Sequence, residues 1–154
     1  MTEVSSRELM LTRLIDAPPA AVYRAWTDPA LIVRWFTPAP WTTVRAEVDV
    51  RPGGSSLIVM RSPDGVEHPN HGVYLEVVPD RLLVITDAYT SAWVPSGKAF
   101  TTMILSFDDE GGKTRYTARV RHWTDADLEA HRAMGFDDGW GKATDQLEAV
   151  VKTL

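Results

Sequence analysis

The chain has 154 residues, of which 44% are hydrophobic, and these values predict one domain, residues 1–154, with a single sizeable core. Its net charge is −5 and its arginines and lysines are scattered, so it lacks the basic patch that nucleic acids require. It contains no cysteine, which excludes disulfides and cysteine-ligated metals.

The sequence gives no signal for export or for membrane insertion. The first ten residues lack the apolar run of a signal peptide, and no stretch approaches the roughly 18 apolar residues of a membrane span. We therefore expect a cytoplasmic protein that interacts with neither nucleic acid nor membrane.

The first predicted elements are a strand and two short helices. Residues 8–15 mix apolar and polar side chains, as in a strand. A helix starts at the Pro18–Pro19 pair, with Asp16 as its candidate cap, because proline fits the first turn of a helix. A second helix starts at Pro29 and ends before Pro38.

A run of six strands follows, separated by turns rich in glycine, proline and aspartate. The predicted strands span residues 42–50, 55–61, 71–78, 81–89, 99–107 and 113–123, and "SAWVPSGK", residues 91–98, is predicted to be a loop. Alternation is clearest in the last strand, where Tyr116, Ala118, Val120 and His122 share one face. Consecutive hairpins indicate an antiparallel sheet with one covered and one wet face.

Two further helices end the chain. Thr124 is a candidate cap for the first, and Gly135 is expected to break it. The last helix is strongly amphipathic, with an apolar stripe at Phe136, Trp140, Ala143, Leu147, Val150 and Leu154. This stripe needs a large apolar partner, and the covered face of the sheet provides one. The fold class is therefore α+β, a curved sheet around one long helix.

Several motifs resemble one protein family. "APPAAVYRAWTDPALIVRWFTP", "EVDVRPGG", "GVYLEVVPDRLLVITDA" and "MGFDDGW" occur in the order seen in the START-like superfamily, often called SRPBCC. The resembling subgroup is that of the C-terminal domain of the activator of the ninety-kilodalton heat-shock chaperone ATPase. The resemblance implies a helix-grip fold of the birch-pollen-allergen type, in which a seven-stranded antiparallel sheet grips the C-terminal helix around an apolar cavity. It does not imply one activity, because the family includes carriers, enzymes and chaperone regulators.

Large side chains are the candidate lining of such a cavity. Half of the six tryptophans lie in "WTDPALIVRWFTPAPW", residues 26–41, where we expect Trp26 to be core and Trp41 to lie near the rim. The alternative for each ring is simple core filling. The candidate ligand-binding residues are Trp35, Phe36, Trp41, Trp93, Phe100, Met103, Tyr116, His122, Phe136 and Trp140.

Catalytic signals are weaker. His122 and Tyr116 fall on the covered face, and Asp87 is in phase with inward residues near a strand end, so these three are the candidate acid or base groups. The alternatives are a core histidine and a rim carboxylate. His68 and His71 lie close to Glu67 but lack a further ligand at useful spacing, so we expect neither a metal site nor a cofactor.

Three functions remain open at the level of sequence. The first is binding of a small hydrophobic or amphipathic molecule between the sheet and the C-terminal helix. The second is a cyclase, dehydratase or hydrolase that uses acid–base groups in the same cavity. The third is regulation of a chaperone ATPase. A homodimer is also possible through the exposed Trp93 or the edge of the first strand.

Overall fold

The computed structural model describes residues 7–97 and 99–154, so Lys98, the end of the predicted loop "SAWVPSGK", lies outside the described residues. The described part contains nine strands and four helices. In chain order they are β1 (Glu8–Ile15), α1 (Pro19–Thr27), α2 (Pro29–Trp35), β2 (Thr42–Val48), β3 (Ser55–Arg61), β4 (Glu67–Val78), β5 (Leu82–Thr86), β6 (Tyr89–Ser91), β7 (Val94–Pro95), β8 (Thr101–Glu110), β9 (Lys113–His122), α3 (Asp125–Ala133) and α4 (Phe136–Val151).

Seven of the strands form one antiparallel sheet in the order β1-β9-β8-β5-β4-β3-β2. The first strand therefore pairs with the last one, and Leu9 lies opposite Val120. The predicted α+β helix-grip architecture, with two short helices after the first strand and a long C-terminal helix, is confirmed.

The core lies between the sheet and the helices. In β9 every second residue is buried, from Thr114 to His122, which confirms the predicted covered face. Leu147 and Val150 of α4 belong to the same apolar cluster as Leu105 and Phe107 of β8. The apolar stripe of α4 is thus packed against the sheet and the two short helices as far as Val150, whereas Leu154, its predicted last member, lies beyond α4 and is 46% exposed.

One polar residue joins the C-terminal helix to the end of α2. The Nε2 of Gln146 donates hydrogen bonds to the carbonyls of Trp35, at 2.7 Å, and Thr37, at 2.8 Å. Its Oε1 accepts one from the backbone N–H of Ala39 at 3.0 Å. These three bonds fix α2, which carries Trp35, against α4.

The structure corrects the sequence-based elements at three places. The Asp16 side chain does not cap α1, whose N-cap residue is Pro18. Strict alternation from Val73 predicts that Leu75 faces the core and Tyr74 faces away, but the register of β4 shifts between Tyr74 and Glu76, so Tyr74 is buried and Leu75 is exposed. Part of the predicted loop around Trp93 forms the small hairpin β6–β7. In the part of the chain that the structure describes, no helix is both long and apolar enough to cross a membrane.

Candidate functional site

A ring-lined cavity of about 300 Å³ lies between the short helices, the sheet and the C-terminal helices. Its lining consists of residues from α1, β3, β9 and α4 and from the ends of α2 and α3. Its described lining contains no Asp, Glu, Lys or Arg side chain. The cavity therefore offers a mostly apolar surface with few polar groups, as small-molecule sites do.

Three rings of the tryptophan-rich stretch form one wall. Trp26 meets Trp35 edge to face with ring centroids 4.8 Å apart, and Phe36 lies 5.6 Å from Trp35. The Trp35 indole donates a hydrogen bond to the carbonyl of Ala25 at 2.9 Å, which fixes its orientation. Trp26 is buried as expected, but it also lines the cavity.

The Trp26 indole nitrogen is buried and forms no hydrogen bond of normal geometry within the described residues, but it lies close enough to the Tyr116 hydroxyl to lower the pKa of that phenol. A buried donor without a partner costs about 1–3 kcal/mol. Because Trp26 belongs to the cavity lining, a bound acceptor group could satisfy this N–H.

Tyr116 of β9 brings a hydroxyl to the same cavity. Burial raises the pKa of Tyr116 above its usual value, although the hydrogen-bonding contact with Trp26 and the charge of Arg13 act in the opposite direction. The phenol is therefore protonated at neutral pH and can both donate and accept hydrogen bonds.

The opposite wall comes from the junction of α3 and α4. Phe136 and Trp140 lie one turn apart on α4, with ring centroids 5.6 Å apart. Gly135 and Met134 precede them, and Met134 is 69% exposed although it contributes to the lining. The cavity therefore reaches the surface at this junction.

Gly139 marks the point where α4 comes close to the end of α2. A Cβ atom at Gly139 would lie 4.0 Å from the Cγ of Pro38, and both residues line the cavity. A Cβ at Gly141 would have no heavy atom within 4 Å, and Gly141 is not part of the lining. Of the two glycines that flank Trp140, Gly139 is therefore the one at the cavity wall.

His131 of α3 is a lining residue that the sequence reasoning missed. Its Nδ1 lies 2.8 Å from the Nε2 of His122, whose Nδ1 lies 2.9 Å from the carbonyl of Arg7. Burial, together with the neighbouring His122, lowers the pKa of His131 to about 4. The signal that could have found His131 is its spacing of three residues from the buried Leu128, which places both on one helix face.

The structure brings five of the ten predicted ligand-binding residues to the cavity, namely Trp35, Phe36, Tyr116, Phe136 and Trp140. Two others lie at the surface: Trp41 packs on His68 at 5.2 Å between ring centroids, and Trp93 is 89% exposed.

The remaining three lie behind the lining. Phe100 packs on His131 with ring centroids 5.3 Å apart, and His122 contacts the cavity only through its bond to His131. Met103 is partly buried against the main apolar cluster. None of the three reaches the cavity surface.

The predicted catalytic residues do not converge. Only Tyr116 lines the cavity. The Asp87 carboxylate instead accepts hydrogen bonds from the backbone N–H groups of Phe100, at 2.7 Å, and Thr101, at 3.1 Å, and so anchors the start of β8. Burial raises the pKa of Asp87, while these backbone bonds act in the opposite direction.

The described residues contain no group of three or more His, Cys, Asp or Glu side chains placed to hold a metal ion. Of the two histidines considered from the sequence, His68 packs against Trp41, and His71 is exposed on β4.

Comparison with known proteins agrees with this architecture. No curated protein matches the chain. A solved structure from Nitrosomonas europaea is 36% identical, with a TM-score of 0.93 over 97% of this chain and 96% of that one. A protein from Rhodobacter sphaeroides, 22% identical, gives a TM-score of 0.85 over 97% of this chain and 95% of that one, and shows the fold alone. A Staphylococcus aureus protein described as of unknown function is 26% identical, with a TM-score of 0.71 over 95% of this chain and 93% of that one.

The family model "Activator of Hsp90 ATPase homolog 1-like protein" matches residues 16–152, nearly the whole chain. This match confirms the resemblance inferred from the motifs. The chain therefore belongs to the family of Activator of Hsp90 ATPase homolog 1-like proteins, within the START-like superfamily.

Proposed function

We propose that this protein binds a small hydrophobic or amphipathic molecule in the cavity between the sheet and the C-terminal helices. The observation that carries the proposal is the lining itself, which combines rings on both walls with the absence of charged side chains among the described lining residues. A fully packed interior would offer no such volume.

The volume sets the size of the molecule. Apolar cavities of about 150 Å³ accept benzene, so about 300 Å³ suits a two-ring compound or one of similar bulk. The Tyr116 hydroxyl and the buried Trp26 N–H beside it favour a compound that also carries one oxygen or nitrogen acceptor.

A titration with naphthalene, followed by ¹H–¹⁵N spectra of the indole N–H groups, tests the proposal. We expect saturable shifts of the Trp26, Trp35 and Trp140 signals, because these rings line the cavity. The signals of Trp93 and Trp123 should stay in place, since both residues are exposed.

Two glycines of α4 provide matched variants. Gly139→Leu places a side chain beside Pro38 at the cavity wall and should weaken naphthalene binding by at least about tenfold, which is roughly 1.4 kcal/mol. Gly141→Leu gains the same helix propensity, about 0.8 kcal/mol, but adds its side chain outside the lining, so its affinity should match that of the wild type. Absence of saturable shifts in the wild type, or equal weakening by both variants, would count against the cavity as the binding site.

A further inference from the structure

We propose that the molecule bound in the cavity is a neutral phenol or alcohol whose hydroxyl donates a hydrogen bond to the Nε2 of His131. This inference rests on the proposed function and names the chemical class of its ligand. It follows from a chain of hydrogen bonds that runs from the backbone through two histidines to the cavity lining.

The first link fixes the tautomer of His122. Its Nδ1 lies 2.9 Å from the backbone carbonyl of Arg7, and a carbonyl can only accept, so this nitrogen carries the proton. Arg7 is itself held in place, because its side chain bonds to Asp125 at 3.1 Å and to the carbonyl of Trp123 at 3.0 Å.

The second link fixes His131. With its proton on Nδ1, the His122 ring presents its Nε2 as an acceptor, so the His131 Nδ1 at 2.8 Å carries the donating proton. The Nε2 of His131 is then left with a lone pair. No hydrogen bond from any described residue to this nitrogen is found, and His131 lines the cavity.

Aromatic packing keeps the His131 ring in an apolar setting. The Phe136 ring meets the His131 ring edge to face with centroids 5.1 Å apart, and the centroid of the Phe100 ring lies 5.3 Å from that of His131. The pKa of His131 is lowered to about 4 by burial and by His122, so the ring is neutral at physiological pH. The neutral His131 Nε2, as a hydrogen-bond acceptor in an apolar cavity, favours a ligand that carries a hydrogen-bond donor.

The same surroundings select against other compounds of similar shape. A methyl ether brings no donor and would cover the His131 Nε2 without supplying a hydrogen bond, which costs free energy. A carboxylate has no cationic partner among the described lining residues and must lose its hydration on entry. The cavity should therefore bind a compound with a hydroxyl group more tightly than a methyl ether or a carboxylate of the same shape.

Calorimetric titrations at pH 7.5 with 2-naphthol, 2-methoxynaphthalene, 2-naphthoate and naphthalene test this inference. We expect 2-naphthol to bind the wild-type protein about tenfold more tightly than 2-methoxynaphthalene and more tightly than 2-naphthoate. His131→Phe should abolish the preference for 2-naphthol, whereas His71→Phe, which alters an exposed histidine on β4, should retain it.

A measurement on the wild-type protein keeps the test independent of how the variants fold. The ¹⁵N resonance of His131 Nε2 should move toward that of a hydrogen-bonded nitrogen when 2-naphthol is added, and should not move in this way with 2-methoxynaphthalene. Equal affinities for these two compounds, an unmoved His131 resonance or tighter binding of 2-naphthoate would overturn the hydroxyl inference and leave cavity binding intact. Failure of all four compounds to bind would instead refute the proposed function.

Discussion

The side-chain amide of Gln146 should be one of the largest single polar contributions to stability in this fold. Its three hydrogen bonds, at 2.7, 2.8 and 3.0 Å, join α4 to the end of α2. Gln146→Met preserves side-chain length and nearly all helix propensity, but it removes all three bonds. At about 1 kcal/mol for each bond, the free energy of unfolding should fall by about 3 kcal/mol.

Urea denaturation measures this loss. With a slope of about 2 kcal/mol per M for a chain of this size, the midpoint should fall by about 1.5 M while the slope stays constant. Lys142→Met is the matched control on the same helix, because in the described chain its side chain forms only an exposed ion pair with Asp138, at 3.5 Å, which contributes little to stability. A loss below about 1 kcal/mol for Gln146→Met, or equal losses for both variants, would refute the reasoning.

Three further perturbations have defined outcomes. The pKa of His131 is lowered from 6.5 to about 4 in the folded protein, so the unfolded chain binds this proton at a higher pH than the folded chain does. The free energy of unfolding should therefore fall as the pH drops from about 6.5 to about 4, by about 1–2 kcal/mol after allowance for partial solvent exposure. His131→Phe should flatten this part of the curve of unfolding free energy against pH. Leu147→Ala removes a side chain with no exposed surface and should cost about 3–4 kcal/mol in urea denaturation, whereas unchanged stability would contradict its place in the core. Trp93 is 89% exposed, so Trp93→Asn should leave the affinity for naphthalene unchanged. Because Trp93 has φ at 64°, a conformation that Asn tolerates better, the variant should also be slightly more stable to heat. A loss of naphthalene affinity would show that Trp93 belongs to the binding site.

Much of the fold was predictable because its signals are local. The alternation ending at His122 identifies the covered face of β9, and the stripe through Leu147 identifies the buried face of α4. Pro29 with the capping Asp28, whose side chain accepts from the N–H of Ala30, marks the start of α2. The exposure of Leu75 was not predictable, because it follows from a register shift that depends on pairing with β5.

The candidate site was only partly predictable, since aromatic character does not reveal which rings meet. Trp35 and Trp140 line the cavity because Gln146 and the core bring α2 and α4 together, whereas Trp93 lies on a separate hairpin. His131 escaped prediction because it is a polar residue on a short helix, and its role depends on a contact with His122 on another element. Chaperone regulation, homodimer formation and a cytoplasmic location stay predictions.

Contacts between a bound probe and the cavity rings test the central claim most directly. An isotope-filtered nuclear Overhauser spectrum of the protein with naphthalene should show contacts from naphthalene protons to Trp35, Phe136 and Trp140, which line the cavity. Contacts confined to the exposed Trp93 and Trp123, or no intermolecular contacts at saturating naphthalene, would contradict a binding cavity between the sheet and the C-terminal helices.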